Sequence, residues 1–133
     1  MGFRSTSTVI EIVTADLGKA LAFYRALGLD VPAGAEGEPH VELALPGGNR
    51  LAFDPESTIA SFTPDYTPPT GEGRVALAFG FDAAAEVDEA HAVLVGAGAP
   101  SVHEPFDAVW GQRYATVTDP DGTHVDLFAP LEP

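Results

Sequence analysis

The chain has no cysteine, which removes disulfides, thiolate nucleophiles and zinc–thiolate clusters together, so any metal has to be held by His, Asp or Glu. Basic residues are scarce: six Lys and Arg stand against twenty Asp and Glu, a net charge of -14. Phosphate recognition rests on clustered Lys and Arg, and no nucleic-acid partner is expected. The acidity reads either as a solubility charge or as a field that draws cationic small molecules toward a cleft. No apolar run approaches the roughly 18 residues that a spanning helix needs. The opening "MGFRSTSTVIEIV" lacks the charged and apolar regions of a secretory leader, so no membrane partner is expected and the expected address is the cytoplasm.

What is present suits one compact domain of 133 residues, 45% of them hydrophobic. "TSTVIEIVT" alternates and is rich in β-branched residues, which predicts a strand from about Thr8 to Thr14. Asp16 then caps a helix whose Leu17, Ala20, Leu21, Tyr24 and Leu27 fall on one stripe, with Gly28 as its stop. "HVELALPGGNRLAFD" predicts a hairpin, and the stretch from Pro55 to Gly73, rich in Pro, Thr and Gly, a loop. The pattern then begins again. "RVALAFGFD" predicts a strand, Asp82 a cap, and Val87, Ala90, His91 and Leu94 a helix stripe. "SVHEPFDAV", interrupted by Pro105, predicts an edge or bulged strand. "QRYATVT" and "THVDLFA" predict a closing hairpin about Asp119-Pro120-Asp121-Gly122. One helix per half among hairpin-linked strands points to an α+β fold of two βαβββ modules in tandem. They span about 5–54 and 74–130 and are joined by a connecting loop at about 55–73.

Two motifs, "VIEIVTADLGKALAFYRALGLDV" and "WGQRYATVTDPDGTHVDLF", resemble the vicinal oxygen chelate superfamily, which contains glyoxalases, bleomycin-resistance proteins and extradiol dioxygenases. The resemblance implies that each module curls a mixed sheet into a half-cup with its helix on the outer face, and that the protein forms a homodimer. The same scaffold serves lyases, epimerases, dioxygenases and non-catalytic drug-binding proteins. Metal-dependent members take four ligands, and the resemblance places those positions at Val9, Ala52, Ala76 and Asp126. Valine and alanine carry no donor atom, so only Asp126 is competent there, and no metal or other cofactor is expected.

Period two separates the faces of each strand. Ile10 and Ile12 are assigned to the helix side, and Val9, Glu11 and Val13 to the other. In the second module Val75, Leu77, Phe79 and Phe81 take the helix side, and the small Ala76, Ala78 and Gly80 line either a cavity or a close-packed neighbour. His124, Asp126 and Phe128 share a face with Gln112, Tyr114, Thr116 and Thr118. An unpaired buried Glu11 would be costly, which leaves a wet cleft for it, a pair with Arg50 or Arg113, or plain solvent exposure. His124 and Asp126 leave their strand on one side and make half a metal site, for which His40 or His103 would have to supply a second imidazole. His91 reads as a surface or interface residue.

Trp110, Phe128, Phe62 and Tyr66 are aromatic candidates for the wall of a pocket. Two functions follow. The first is a non-catalytic binding protein of bleomycin-resistance type that sequesters a cationic or amphipathic antibiotic or metabolite. In it Glu11 and Asp126 attract, Trp110 and Phe128 stack, and Gln112 and Tyr114 orient. The second is a lyase or dioxygenase-type enzyme with an atypical metal or general-base site around Glu11, His124 and Asp126.

Overall fold

The computed structural model describes residues 2, 4–69 and 73–132. The chain divides between Pro69 and Thr70 into two compact units. The first holds β1 (Val9–Thr14), α1 (Leu17–Ala26), β2 (Val41–Ala44), β3 (Arg50–Pro55) and α2 (Glu56–Ala60). The second holds β4 (Ala76–Gly80), α3 (Ala84–Gly96), β5 (Ser101–Asp107), β6 (Gln112–Thr118) and β7 (His124–Pro130). The fold is α+β with two mixed sheets, in the tandem βαβββ manner that the sequence predicts.

In the first unit the strand order is β1-β3-β2, with β1 parallel and β2 antiparallel to β3. Five β-branched residues of "VIEIVT" plus a capping Asp explain the entry: the chain stays extended to Thr14, and Asp16 Oδ1 then accepts from Lys19 N at 3.0 Å. The predicted stripe of α1 is buried throughout, at Leu17, Ala20, Leu21, Tyr24 and Leu27. Tyr24 packs on the fully buried Phe53 of β3, ring centroids 5.2 Å apart. Gly28 adopts φ 107, which releases the chain from the helix. Between α1 and β2 runs a single 3-10 turn, Ala35–Gly37, so among the described residues this sheet has three strands.

The second unit is a full βαβββ arrangement in the order β4-β7-β6-β5, with β4 and β7 parallel. α3 packs on β5, β6 and β7 through Val87, His91 and Leu94. β5 is the predicted edge strand, and its pairing with β6 shifts register between Ser101 and His103 and again between His103 and Phe106, around Pro105. In the last turn Asp119 Oδ1 accepts from Asp121 N and Thr123 N, both at 2.9 Å, and Gly122 takes φ 86.

Four local expectations are corrected. The segment after Pro55 is not all loop: Glu56–Ala60 form α2, whose Thr58 Oγ1 donates to Pro39 O at 2.7 Å. A local tie to a distant carbonyl thus overrides a loop-like composition, and residues 70–72 of that segment lie outside the described residues. The start of α3 is one residue later than Asp82; Ala83 is the cap residue, and Glu86 Oε1 accepts its N–H at 3.0 Å. Val75 precedes β4 and is 72% exposed instead of packing under the helix. His91 is buried, with Nε2 2.8 Å from Ser101 Oγ.

Candidate functional site

Each unit presents one sheet face to α-helix and core, and one face carrying polar or aromatic groups. The face opposite the core is where the sequence-predicted residues collect, and the two units fill it differently.

In the second unit, register puts Ala76 beside His124, Ala78 beside Asp126 and Gly80 beside Phe128. Across β7, Thr118, Thr116 and Tyr114 stand opposite His124, Asp126 and Phe128. Asp126 is half-buried, and both its oxygens are engaged: Tyr114 Oη donates to Oδ2 at 2.5 Å and Thr116 Oγ1 to Oδ1 at 2.8 Å. Burial, then the bond to Asp126, pushes the Tyr114 hydroxyl up to about 12. Trp110, 59% exposed, donates its indole N–H to Gln112 Oε1 at 2.9 Å. Its ring lies edge-on to Tyr114 at 5.4 Å and to Phe106 at 6.4 Å, and Phe106 meets Tyr114 at 6.2 Å. These three rings, Phe106 and Trp110 exposed and Tyr114 half-buried, form a corner in which the faces of one ring abut the edges of the next.

Of the predicted wall, Trp110 meets both Gln112 and Tyr114, and Phe128 shares their sheet face. Phe62, 68% exposed, and Tyr66 belong to the first unit, just past α2. Phe106 escaped sequence reasoning. Counting by two from His103 puts residue 105 on the face, but the bulge advances β5 by one residue, so His103 faces Thr116 and Phe106 faces Tyr114. Gly80 is a case of close packing, since a Cβ there would lie 2.8 Å from Phe128 Cζ. Ala76 and Ala78 are open to solvent.

In the first unit, β1 and β3 place Val9 beside Arg50, Glu11 beside Ala52 and Val13 beside Asp54. On the other side of β3, Glu42 stands beside Ala52 and Ala44 beside Arg50. His40, immediately before β2, holds two carboxylates: Nδ1 lies 2.6 Å from Asp54 Oδ1 and Nε2 2.9 Å from Glu42 Oε2. Glu42 in turn lies 2.6 Å from Arg50 Nε. Hydrogen bonds to Glu42, then to Asp54, raise the His40 imidazole above its ordinary pKa, and the bond from His40 lowers the Glu42 carboxyl below its own.

Neither predicted partner takes Glu11: Arg50 pairs with Glu42, and Arg113 binds Asp88 and Asp107, each at 2.9 Å. Glu11 is exposed instead, and donor atoms of Glu11, His40 and Asp54 all lie within 4.8 Å of one another. Sequence reasoning named Glu11 and His40 but missed Asp54, although Asp54 follows Ala52 by two on the same strand face.

At the positions where the resemblance places metal ligands, Val9, Ala52 and Ala76 offer no donor, which leaves Asp126 alone, held by two hydroxyls.

A family model described as the glyoxalase/bleomycin resistance protein/dioxygenase superfamily matches residues 7–127. Among solved structures, a hypothetical protein of Staphylococcus aureus, SA1046, is 22% identical over 96% of this chain and 95% of its own, with a TM-score of 0.79. A glyoxalase/bleomycin resistance protein/dioxygenase from Nocardioides is 26% identical over 99% of this chain and 87% of its own, TM-score 0.74. A family enzyme from Burkholderia phytofirmans is 20% identical over 93% and 98%, TM-score 0.80. A comparison with curated proteins found no match. Fold, register and family model agree, and the chain belongs to the glyoxalase/bleomycin resistance protein/dioxygenase superfamily.

Proposed function

We propose that this chain is a non-catalytic small-molecule-binding protein that sequesters a cationic, partly planar or amphipathic ligand, of antibiotic or metabolite type, on the open face of its second unit. The observation that carries the reading is the corner of exposed Phe106 and Trp110 with half-buried Tyr114 beside an engaged carboxylate. Aromatic faces attract cations and stack on planar groups, an interaction worth about 0.5–2 kcal/mol each. Two hydroxyl donors hold Asp126 in one orientation, so its charge is fixed beside the rings without a conformational cost on binding. The open Ala76 and Ala78 leave room beside it, and a net charge of -14 draws cations to the protein as a whole. Homodimer assembly and a cytoplasmic address belong to the same proposal; no described helix is long and apolar enough to cross a membrane.

Trp110 is the only tryptophan, which makes its fluorescence a site-specific reporter. A cationic acridine dye and a glycopeptide of the bleomycin class are to be titrated against the full chain, with an uncharged planar isostere as the comparison. Saturable quenching by a cationic probe, weaker at high salt because the Debye length shrinks, is the expected result. Equal binding of the uncharged isostere, or no quenching by any probe, would refute the reading.

A further inference from the structure

The first unit carries a second constellation that the ligand-binding reading does not use. Asp54 is a buried carboxylate on β3, Glu11 an exposed one on β1, and His40 reaches them from the start of β2. Their donor atoms fall within 4.8 Å of one another. Donors bound at about 2.0–2.2 Å to one ion stand roughly 2.8–3.6 Å apart, the shorter end for octahedral and the longer for tetrahedral geometry. No two of these atoms stand further apart than 4.8 Å, and the His40–Asp54 pair is closer, at 2.6 Å, as expected where a proton occupies the place of an ion.

We infer that Glu11, His40 and Asp54 form a divalent transition-metal site within the first unit, separate from the positions at which the superfamily's ligands would fall. Three further observations support it. Glu42 holds the opposite ring nitrogen of His40 at 2.9 Å, the arrangement that fixes a ligating imidazole's tautomer and strengthens its free nitrogen as a donor. Glu42 is itself anchored by Arg50 at 2.6 Å. Charge also fits: three carboxylates, Glu11, Glu42 and Asp54, face one guanidinium and one imidazole. With the imidazole neutral, two negative charges are left over, the number that a divalent cation supplies.

The donor set selects the metal class. One imidazole and two carboxylates without sulfur suit zinc, manganese, iron(II), cobalt or nickel. Three protein ligands leave at least one coordination position open, as in sites that bind an exogenous oxygen ligand and unlike closed four-ligand structural sites. An open groove of about 290 Å³, lined by Pro32, Ala35, Glu38, His40, Val41 and Glu42, reaches the His40 side of the cluster and supplies an approach. The inference does not depend on ligand binding by the second unit.

The test is a calorimetric titration of the chelator-stripped full chain with Zn²⁺, alongside Co²⁺ followed through its visible ligand-field bands. One equivalent per chain is expected. E11Q and H40Q are each expected to weaken binding at least about tenfold and to change the cobalt spectrum, and E42Q to weaken it about 10–100-fold. E89Q, on the exposed side of α3, is expected to bind as the unsubstituted protein does. Glu11 is exposed, so E11Q keeps the fold, and a matching denaturation curve checks this. Absence of stoichiometric binding, or an unchanged affinity in either E11Q or H40Q, would overturn the inference.

Discussion

The two units use one strand register to opposite ends. In the first, the initial strand supplies the carboxylate, Glu11, and its parallel neighbour an alanine, Ala52. In the second, the initial strand supplies the alanine, Ala78, and its parallel neighbour the carboxylate, Asp126. One step further along, the first unit places Asp54 and the second Phe128. The first face is therefore ionic, a chain from Arg50 through Glu42 and His40 to Asp54; the second is aromatic, with one carboxylate satisfied by hydroxyls. A duplicated backbone fixes where side chains point, and single substitutions at matched sites decide whether a face is ionic or aromatic.

The comparison can be broken first at what the units share, a buried apolar face. Phe53→Ala in the first unit and Leu127→Ala in the second, both fully buried, are expected to cost about 3–5 and 2–5 kcal/mol in guanidinium denaturation. A cost below about 1 kcal/mol for either would show that its sheet does not organise a core.

The second test acts on the carboxylate that only the aromatic face holds. Asp126→Asn replaces a charged acceptor of two hydroxyl bonds and is expected to destabilise by about 1–3 kcal/mol. It should also lower the Tyr114 pKa from about 12, read as the tyrosinate absorbance difference between otherwise matched proteins with and without Tyr114→Phe. The sign is set by the direction of the shift. A folded-state pKa above the ordinary 10.0 contributes stability that is complete below about pH 10 and lost as pH rises through about 12. Unfolding free energy should accordingly fall faster over that window in the parent than in Tyr114→Phe.

A smaller effect is expected at Gly80, whose backbone does not require glycine but whose missing Cβ makes room for the Phe128 ring. Gly80→Ala should cost about 1–3 kcal/mol through overpacking, and Phe128→Ala in the same chain should recover part of it, a coupling that a double-mutant cycle measures. The smallest change is expected at the exposed groups. Glu11→Gln and Trp110→Ala should each alter stability by no more than about 0.5 kcal/mol. Trp110→Ala should nevertheless weaken binding of the cationic dye, read by dye polarisation, roughly tenfold.

Much of this was legible before any coordinates. Alternation in "VIEIVT" and the Leu17–Leu27 stripe identified the strand and the buried side of α1, because periods of two and near four are imposed locally by backbone geometry. Asp126, Tyr114 and Thr116 were placed on one face by the same parity. Where parity was interrupted the reading failed: the bulge around Pro105 moved Phe106 onto the face, and Thr58 tied α2 to a carbonyl nineteen residues away.

By itself, then, the sequence determined which residues are donors, which are too small or too apolar to be, and which share a side of their own strand. Only the tertiary structure decided that His40 lies between Asp54 and Glu42 while Glu11 stands free of both arginines. The physical reason is range. Side-chain direction within a strand follows from adjacent peptide geometry, whereas the partner of a charge follows from the register between strands, β2 against β3 for His40 and Asp54 and β1 against β3 for Glu11, and no pattern within one strand encodes it.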